Sequence, residues 1–164
     1  MRKGRDLEKT RKEILDVAFM EVFSHGDVIK PMIIDRWISP LADYENPLDG
    51  ILKQMKTLIG KSSMENLRLG CPLNNLVQEM SPIDEGFRKR LQIALNLWIE
   101  ETDMLLKKAK KDGQIKADVN TRHVAYFIVM THEGIYGILK GLDDPKAFDA
   151  LYDSLKRYFQ AIRA

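Results

Sequence analysis

The chain has 164 residues, 45% hydrophobic and 30% charged, a balance that excludes a disordered polymer and suits one globular domain or a small domain joined to a larger one. A formal net charge of +2 makes no overall demand for nucleic acid, so any such role must come from a local basic patch. The single cysteine, Cys71, excludes an intramolecular disulfide and points to a reducing cytosol.

The charged start, Met1 to Asp6, lacks the apolar core of a signal peptide. A first helix is expected from Thr10 to His25. Thr10 and Glu13 form a capping box, and Ile14, Leu15, Ala18, Phe19, Val22 and Phe23 make one apolar stripe. A second helix is expected over Val28–Ile38, with Pro40 beyond its end. Three pairs, Asn46-Pro47, Ser81-Pro82 and Asp144-Pro145, read as helix starts, each a capping side chain followed by a proline preset for the first turn. Cys71-Pro72 is a fourth start with a weaker cap. Leu48, Ile51, Leu52, Met55, Leu58 and Ile59 stripe a third helix, and Leu73, Leu76, Val77 and Met80 a short fourth.

A long helix is expected from Pro82 to Lys111, with Phe87, Leu91, Ala94, Leu95, Trp98, Thr102 and Leu105 on its buried face. The lysines from Lys107 to Lys111 favour its C-terminal dipole and read as a solvated end. The next helix, Asn120–Gly141, is apolar nearly all round, and only Arg122, Glu133 and Lys140 share a polar sector. Such a helix needs cover on two sides, one from the core and one from a second subunit. Gly134, Gly137 and Gly141 fall in one sector and suggest close helix approach there. The last helix, Pro145–Ile162, carries Phe148, Leu151, Tyr152, Leu155, Tyr158 and Phe159 at seam spacing. Together these two helices are expected to form a four-helix homodimer interface. No stretch reaches the length of a membrane span: the most apolar run, Val124–Leu142, is broken by His132, Glu133 and Lys140.

Enzyme signals are weak. His132-Glu133 begins a zinc-protease pattern, but Tyr136 stands where the second histidine belongs, and His25, His123 and His132 lack metal-site spacing. No nucleophile elbow and no phosphate loop occur. Neither a metal nor a cofactor is expected. Cys71 reads as a buried or capping cysteine.

Lys9 to Phe19, then Phe23-Ser24-His25-Gly26, resemble the first helix of the tetracycline-repressor (TetR) family. Gly70 to Met80 resemble a segment of one branch of its ligand domains, His132-Glu133-Gly134 the acidic-glycine step of its penultimate helix, and Asp144-Pro145 the start of its last. The resemblance implies an all-α fold: a C-terminal ligand-binding and dimerisation domain, residues 27–164, with the remnant of a three-helix DNA-binding domain at 1–26. It departs at one point. Gly26 runs directly into Asp27-Val28-Ile29-Lys30-Pro31, which resembles the middle of the family's fourth helix, so the helix-turn-helix has no counterpart between Gly26 and Asp27. An isolated first helix is marginal. Either a segment belongs between Gly26 and Asp27, the favoured reading, or the chain truly lacks it.

The function so implied is a cytoplasmic, homodimeric, ligand-responsive regulator, a repressor released from operator DNA by a small effector. The alternative is an all-helical dimerisation or ligand-binding module that never touches DNA. Lys9, Thr10, Arg11 and Lys12, basic residues at a helix start, are candidate phosphate contacts. Candidate pocket residues are Met55, Ile59, Leu76, Met80, Trp98, Phe127 and Thr131, with Cys71 and Asn75 as polar contacts. No cluster of like charge falls on these faces, so the effector is expected to be apolar or amphipathic.

Overall fold

The computed structural model describes residues 31–164, with side chains from Ile33 onward. The helix expected at Thr10–His25 lies outside the described residues. Among those described, the secondary structure is helical, and the only extended pairing is an isolated antiparallel bridge between Ile115 and Arg163. The all-α expectation is met.

The chain enters through a π-helical segment, Pro31–Ile38, and a 3₁₀ turn, Ser39–Asp43. A regular helix was expected up to Ile38, and Pro40 explains why one does not run on. It has no N–H to give the carbonyl of Arg36, which instead accepts from Gln54 Nε2 at 3.3 Å. Six α-helices follow: α1 Pro47–Leu58, α2 Met64–Leu69, α3 Pro72–Met80, α4 Glu85–Lys111, α5 Thr121–Leu142 and α6 Ala147–Ile162.

Most of these ends have a local chemical cause. Asn46 caps α1 by accepting from the N–H of Leu48, and Asn120 caps α5 by accepting from His123. Cys71 precedes α3 without a side-chain cap, as its weak capping ability suggests. The long helix begins later than the Ser81-Pro82 pair implied. Ser81 closes α3, residues 81–83 turn, and Asp84 caps α4 by accepting from the N–H of Phe87 at 3.0 Å. Likewise Asp144 and Pro145 form a turn, and α6 starts at Ala147. Helix α2, capped by Ser63, carries too few residues to show a periodic stripe and was not expected. Gly141 does not end α5. Asp143 takes the left-handed conformation there (φ 52°), and Arg68 of α2 grips its carboxylate through two hydrogen bonds of 2.7 and 2.9 Å.

Helices α4 and α5 make the most extensive contact. Asp103 meets Thr121, Glu100 faces Arg122, and Trp98 meets His132, so the two run antiparallel. At 27 residues and about 1.5 Å per residue, α4 is the long strut of the domain. Helices α2 and α3 close over one end of this pair, while α6 packs on α1 and α5. The core is continuous, with Leu48, Met55, Ile59, Leu73, Met80, Leu91, Leu106, Ile128, Leu139 and Phe159 almost wholly buried. Gly60 is required by packing, since a Cβ there would lie 2.5 Å from the Phe148 ring. No helix among the described residues is long and apolar enough to cross a membrane.

Candidate functional site

Three aromatic side chains converge on His132, the two indoles buried and the phenol half-buried. Trp37 comes from the π-helical segment, Trp98 from the middle of α4 and Tyr136 from one turn further along α5. Their ring centroids lie 4.4, 4.8 and 5.1 Å from the imidazole, all at steep angles. The two indoles are 5.4 Å apart. Edge-to-face packing of this kind holds an imidazole in a fixed orientation. The π-helical segment matters here, because it is what delivers Trp37 and Ile33 to the face of α4.

A small cavity of about 60 Å³ opens among these groups. It is walled by Ile33, Trp37, Leu58, Leu73 and Trp98, with Arg36, Cys71, His132 and Tyr136 as its polar members. With each water taking roughly 30 Å³, such a volume holds one or two waters or a small chemical group. A larger hollow of about 340 Å³ beside Tyr44, Asn46 and Arg163 has walls of exposed or half-buried residues and no comparable convergence of buried polar groups.

Beside the cavity, Cys71, His132 and Glu133 meet, with ligand-type atoms all within 4.8 Å of one another. His132 Nδ1 lies 2.8 Å from Glu133 Oε1, and the Cys71 thiol points to that same oxygen at 3.4 Å. Glu133 Oε2 is buried and has no hydrogen-bond partner. The Asn74 amide donates to the Glu133 carbonyl at 3.5 Å, tying α3 to α5. Burial, reinforced by the Glu133 charge, pushes the Cys71 thiol up to about 12. Burial also raises the Tyr136 phenol.

The structure brings two of the expected pocket residues, Cys71 and Trp98, to the cavity wall. Met55, Ile59 and Met80 are buried in the core and do not line it. Leu76 packs partly buried against the core, and Thr131 is half-buried. Asn75 is committed elsewhere, donating to the Leu69 carbonyl at 2.7 Å and accepting from Lys140. Phe127 lies against Tyr158, centroids 4.3 Å apart, in the seam between α5 and α6. Lys9, Thr10, Arg11 and Lys12 lie outside the described residues.

Sequence reading passed over Ile33, Arg36, Trp37, Leu58, Leu73, His132 and Tyr136 as pocket residues. One signal was present: His132 and Tyr136 are four apart and share a helix face. As a zinc-protease pattern that Tyr136 breaks, the pair gives no sign of an aromatic wall. The Cys71–Glu133 contact spans 62 positions, and only the packing of α3 on the bundle creates it.

On the expected dimer surface, Gly134, Gly137 and Gly141 are exposed, and a Cβ added to any of them would meet nothing within 4 Å. Tyr126, Met130 and Ile138 continue that face as large exposed side chains. On α6, by contrast, Phe148, Leu155 and Phe159 are buried within the chain's own core, while Leu151, Tyr152 and Tyr158 are half-buried against it.

These features define an all-helical domain with an internal aromatic cavity and an uncovered apolar helix face. Comparison with known proteins gives it a family. The profile described as "Tetracyclin repressor-like, C-terminal domain" matches residues 47–155, about two thirds of the chain, and the protein belongs to that family. It is 27% identical over 132 residues to a Lactococcus lactis subsp. lactis protein, "Uncharacterized HTH-type transcriptional regulator in lacX 3'region". That alignment covers 79% of this chain and 61% of the relative, so the chain spans less than two thirds of the relative's length. The fold is also that of a TetR transcriptional regulator from Chloroflexus aurantiacus J-10-FL, with a TM-score of 0.68 at 20% identity over 84% of this chain and 70% of that one. A TetR-family regulator from Cytophaga hutchinsonii superposes with a TM-score of 0.55 at 19% identity, over 72% and 70% of the two chains.

Proposed function

We propose that the protein is a ligand-responsive transcriptional regulator, a repressor that leaves operator DNA when a small molecule occupies the cavity between Trp37, Trp98, His132 and Tyr136. The observation that carries this reading is the cavity itself: a mostly apolar, aromatic hollow holding a few convergent polar groups, in the domain where the family match lies. It acts by binding and release rather than catalysis. The effector has a small apolar or amphipathic body that fits between the indoles, with a polar end toward Cys71 and His132. At about 60 Å³ the cavity is far below the roughly 300–1,000 Å³ of common small-molecule sites, so effector entry requires the surrounding elements to part. Effector contacts available only in the expanded state are what shift the protein between DNA-bound and released states.

The reading also takes the protein to be a cytoplasmic homodimer. The exposed face of α5, with Tyr126, Met130, Gly134, Gly137, Ile138 and Gly141, is offered to a second copy, with the half-buried edge of α6 beside it. Lys9, Thr10, Arg11 and Lys12 would supply phosphate contacts at the edge of a DNA-binding head. An all-helical module that never touches DNA is the second reading, favoured by the direct passage from Gly26 to Asp27.

The test is operator binding by the intact gene product to its own promoter region. A complex that weakens steeply as salt rises, and dissociates on saturation of the cavity, is expected. Absence of salt-sensitive DNA binding would leave the DNA-free module in its place.

A further inference from the structure

We infer that Cys71, His132 and Glu133 form a binding site for a divalent transition-metal cation of the zinc type. The inference is independent of DNA binding and stands on the side chains themselves.

Thiolate, imidazole and carboxylate are together the donor set of borderline-soft cations, and their ligand atoms already lie within 4.8 Å of one another. Around a tetrahedral zinc with bonds of about 2.0–2.3 Å, ligand atoms sit roughly 3.3–3.8 Å apart, so small side-chain rotations suffice. The cluster is preformed on two helices. His132 and Glu133 are adjacent on α5, and Cys71 is fixed at the start of α3, where the Asn74 contact to the Glu133 carbonyl holds the two elements together.

The hydrogen bonding is lopsided in a way that a cation would correct. Glu133 Oε1 takes both the imidazole at 2.8 Å and the thiol at 3.4 Å, while Oε2 is buried without a partner. Among the described residues no lysine or arginine forms an ion pair with Glu133; its one charge-pairing neighbour is His132. A largely buried carboxylate with a bare oxygen is costly unless something positive reaches it. The neighbouring groups at this point are a soft sulfur and an imidazole, both 7% exposed or less, with the Trp37 and Trp98 rings packed against the imidazole. Cys71 and His132 also line the 60 Å³ cavity, which leaves the fourth coordination position to a water or an effector atom held there.

The chain supplies its own reporters. It has one cysteine and two tryptophans, and both indoles touch His132. The experiment is titration of chelator-treated, phosphine-reduced full chain with Co²⁺, followed by absorption and tryptophan fluorescence, then displacement by Zn²⁺. One Co²⁺ per chain is expected, with a thiolate-to-cobalt charge-transfer band that Cys71 alone can provide. Quenching of tryptophan emission should accompany it, and Zn²⁺ should reverse both. The nearly isosteric Glu133→Gln is expected to weaken Co²⁺ at least tenfold while the far-ultraviolet circular dichroism stays unchanged, and His123→Ala to leave binding as it was. Absence of the charge-transfer band in the unmutated chain would overturn the site whatever the variants do. Binding that Glu133→Gln leaves undiminished would overturn it too, by removing the carboxylate from the ligand set.

Discussion

At the scale of single residues, the decisive quantity is what burial does to a polar group. Cys71 is 7% exposed and its thiol is pushed up to about 12, so little thiolate exists near neutrality. Since thiol reagents attack the thiolate, chelator-treated native protein at pH 8 is expected to be alkylated roughly a thousand times more slowly than the denatured chain. Mass spectrometry of timed iodoacetamide reactions measures this, and equal rates would show Cys71 to be accessible and ionised. Asp103 shows the opposite balance. Burial opposes its charge, but Lys107 and the Thr121 hydroxyl, the latter 2.7 Å away, hold its carboxyl below the ordinary value of 3.8. The folded group is the stronger acid, so the unfolded chain takes up the proton first as pH falls. The stabilisation is therefore complete well above 3.8 and is lost as pH drops through the folded value. Asp103→Ala leaves the Thr121 hydroxyl without its carboxylate and should cost about 1–3 kcal/mol in urea denaturation at pH 7, with a smaller penalty at pH 3.

Elements are distinguished by which faces the fold leaves covered. Gly60, just beyond α1, is pressed against Phe148, so Gly60→Ala should destabilise by about 1–3 kcal/mol through overpacking, read as a lowered urea midpoint. The glycines of α5 stand in open space within one chain. If nothing else approached them, Gly137→Ala would raise stability by about 0.5–1 kcal/mol through helix propensity alone. In a dimer packed on that face, the same change should instead weaken association. Measuring stability across protein concentrations separates the two, because only a dimer has a midpoint that depends on concentration. Reading helix ends from sequence succeeded where the proline directly followed the residue at the cap position, at Asn46 and Cys71, and where Asn120 caps its helix. It ran early at Ser81-Pro82 and Asp144-Pro145. There the proline sits in a turn, and the helix waits for Asp84 or for Ala147. Short α2 escaped notice because six residues are under two helical turns and carry no readable period.

For the whole molecule, the exposed face of α5 bears on assembly. Met130→Glu and Ile138→Glu, both on the exposed α5 face, are expected to yield monomers in sedimentation with circular dichroism unchanged, and a stable dimer carrying both changes would refute that interface. Intact mass decides between the two readings of the N-terminal region. A value near 18.9 kDa favours the DNA-free module, and one several kilodaltons higher favours a regulator with a complete reading head.

The all-helical class, the order and faces of the major helices and the family were legible in the sequence, because a 3.6-residue apolar period and local caps are properties of neighbouring residues. The candidate site was legible only in fragments. Cys71 and Trp98 could be picked as soft or aromatic groups on buried faces, but nothing local distinguishes Met55 or Met80 in the core from Trp37 at the cavity. Likewise the apolar seam of α6 showed that Phe148, Leu155 and Phe159 are buried, but not that their own chain buries them. Which side chains face each other across 62 positions, as Cys71 and Glu133 do, is decided by how α3 docks on the α4–α5 pair, and that docking is a sum of many nonspecific apolar contacts with no signature in any one segment.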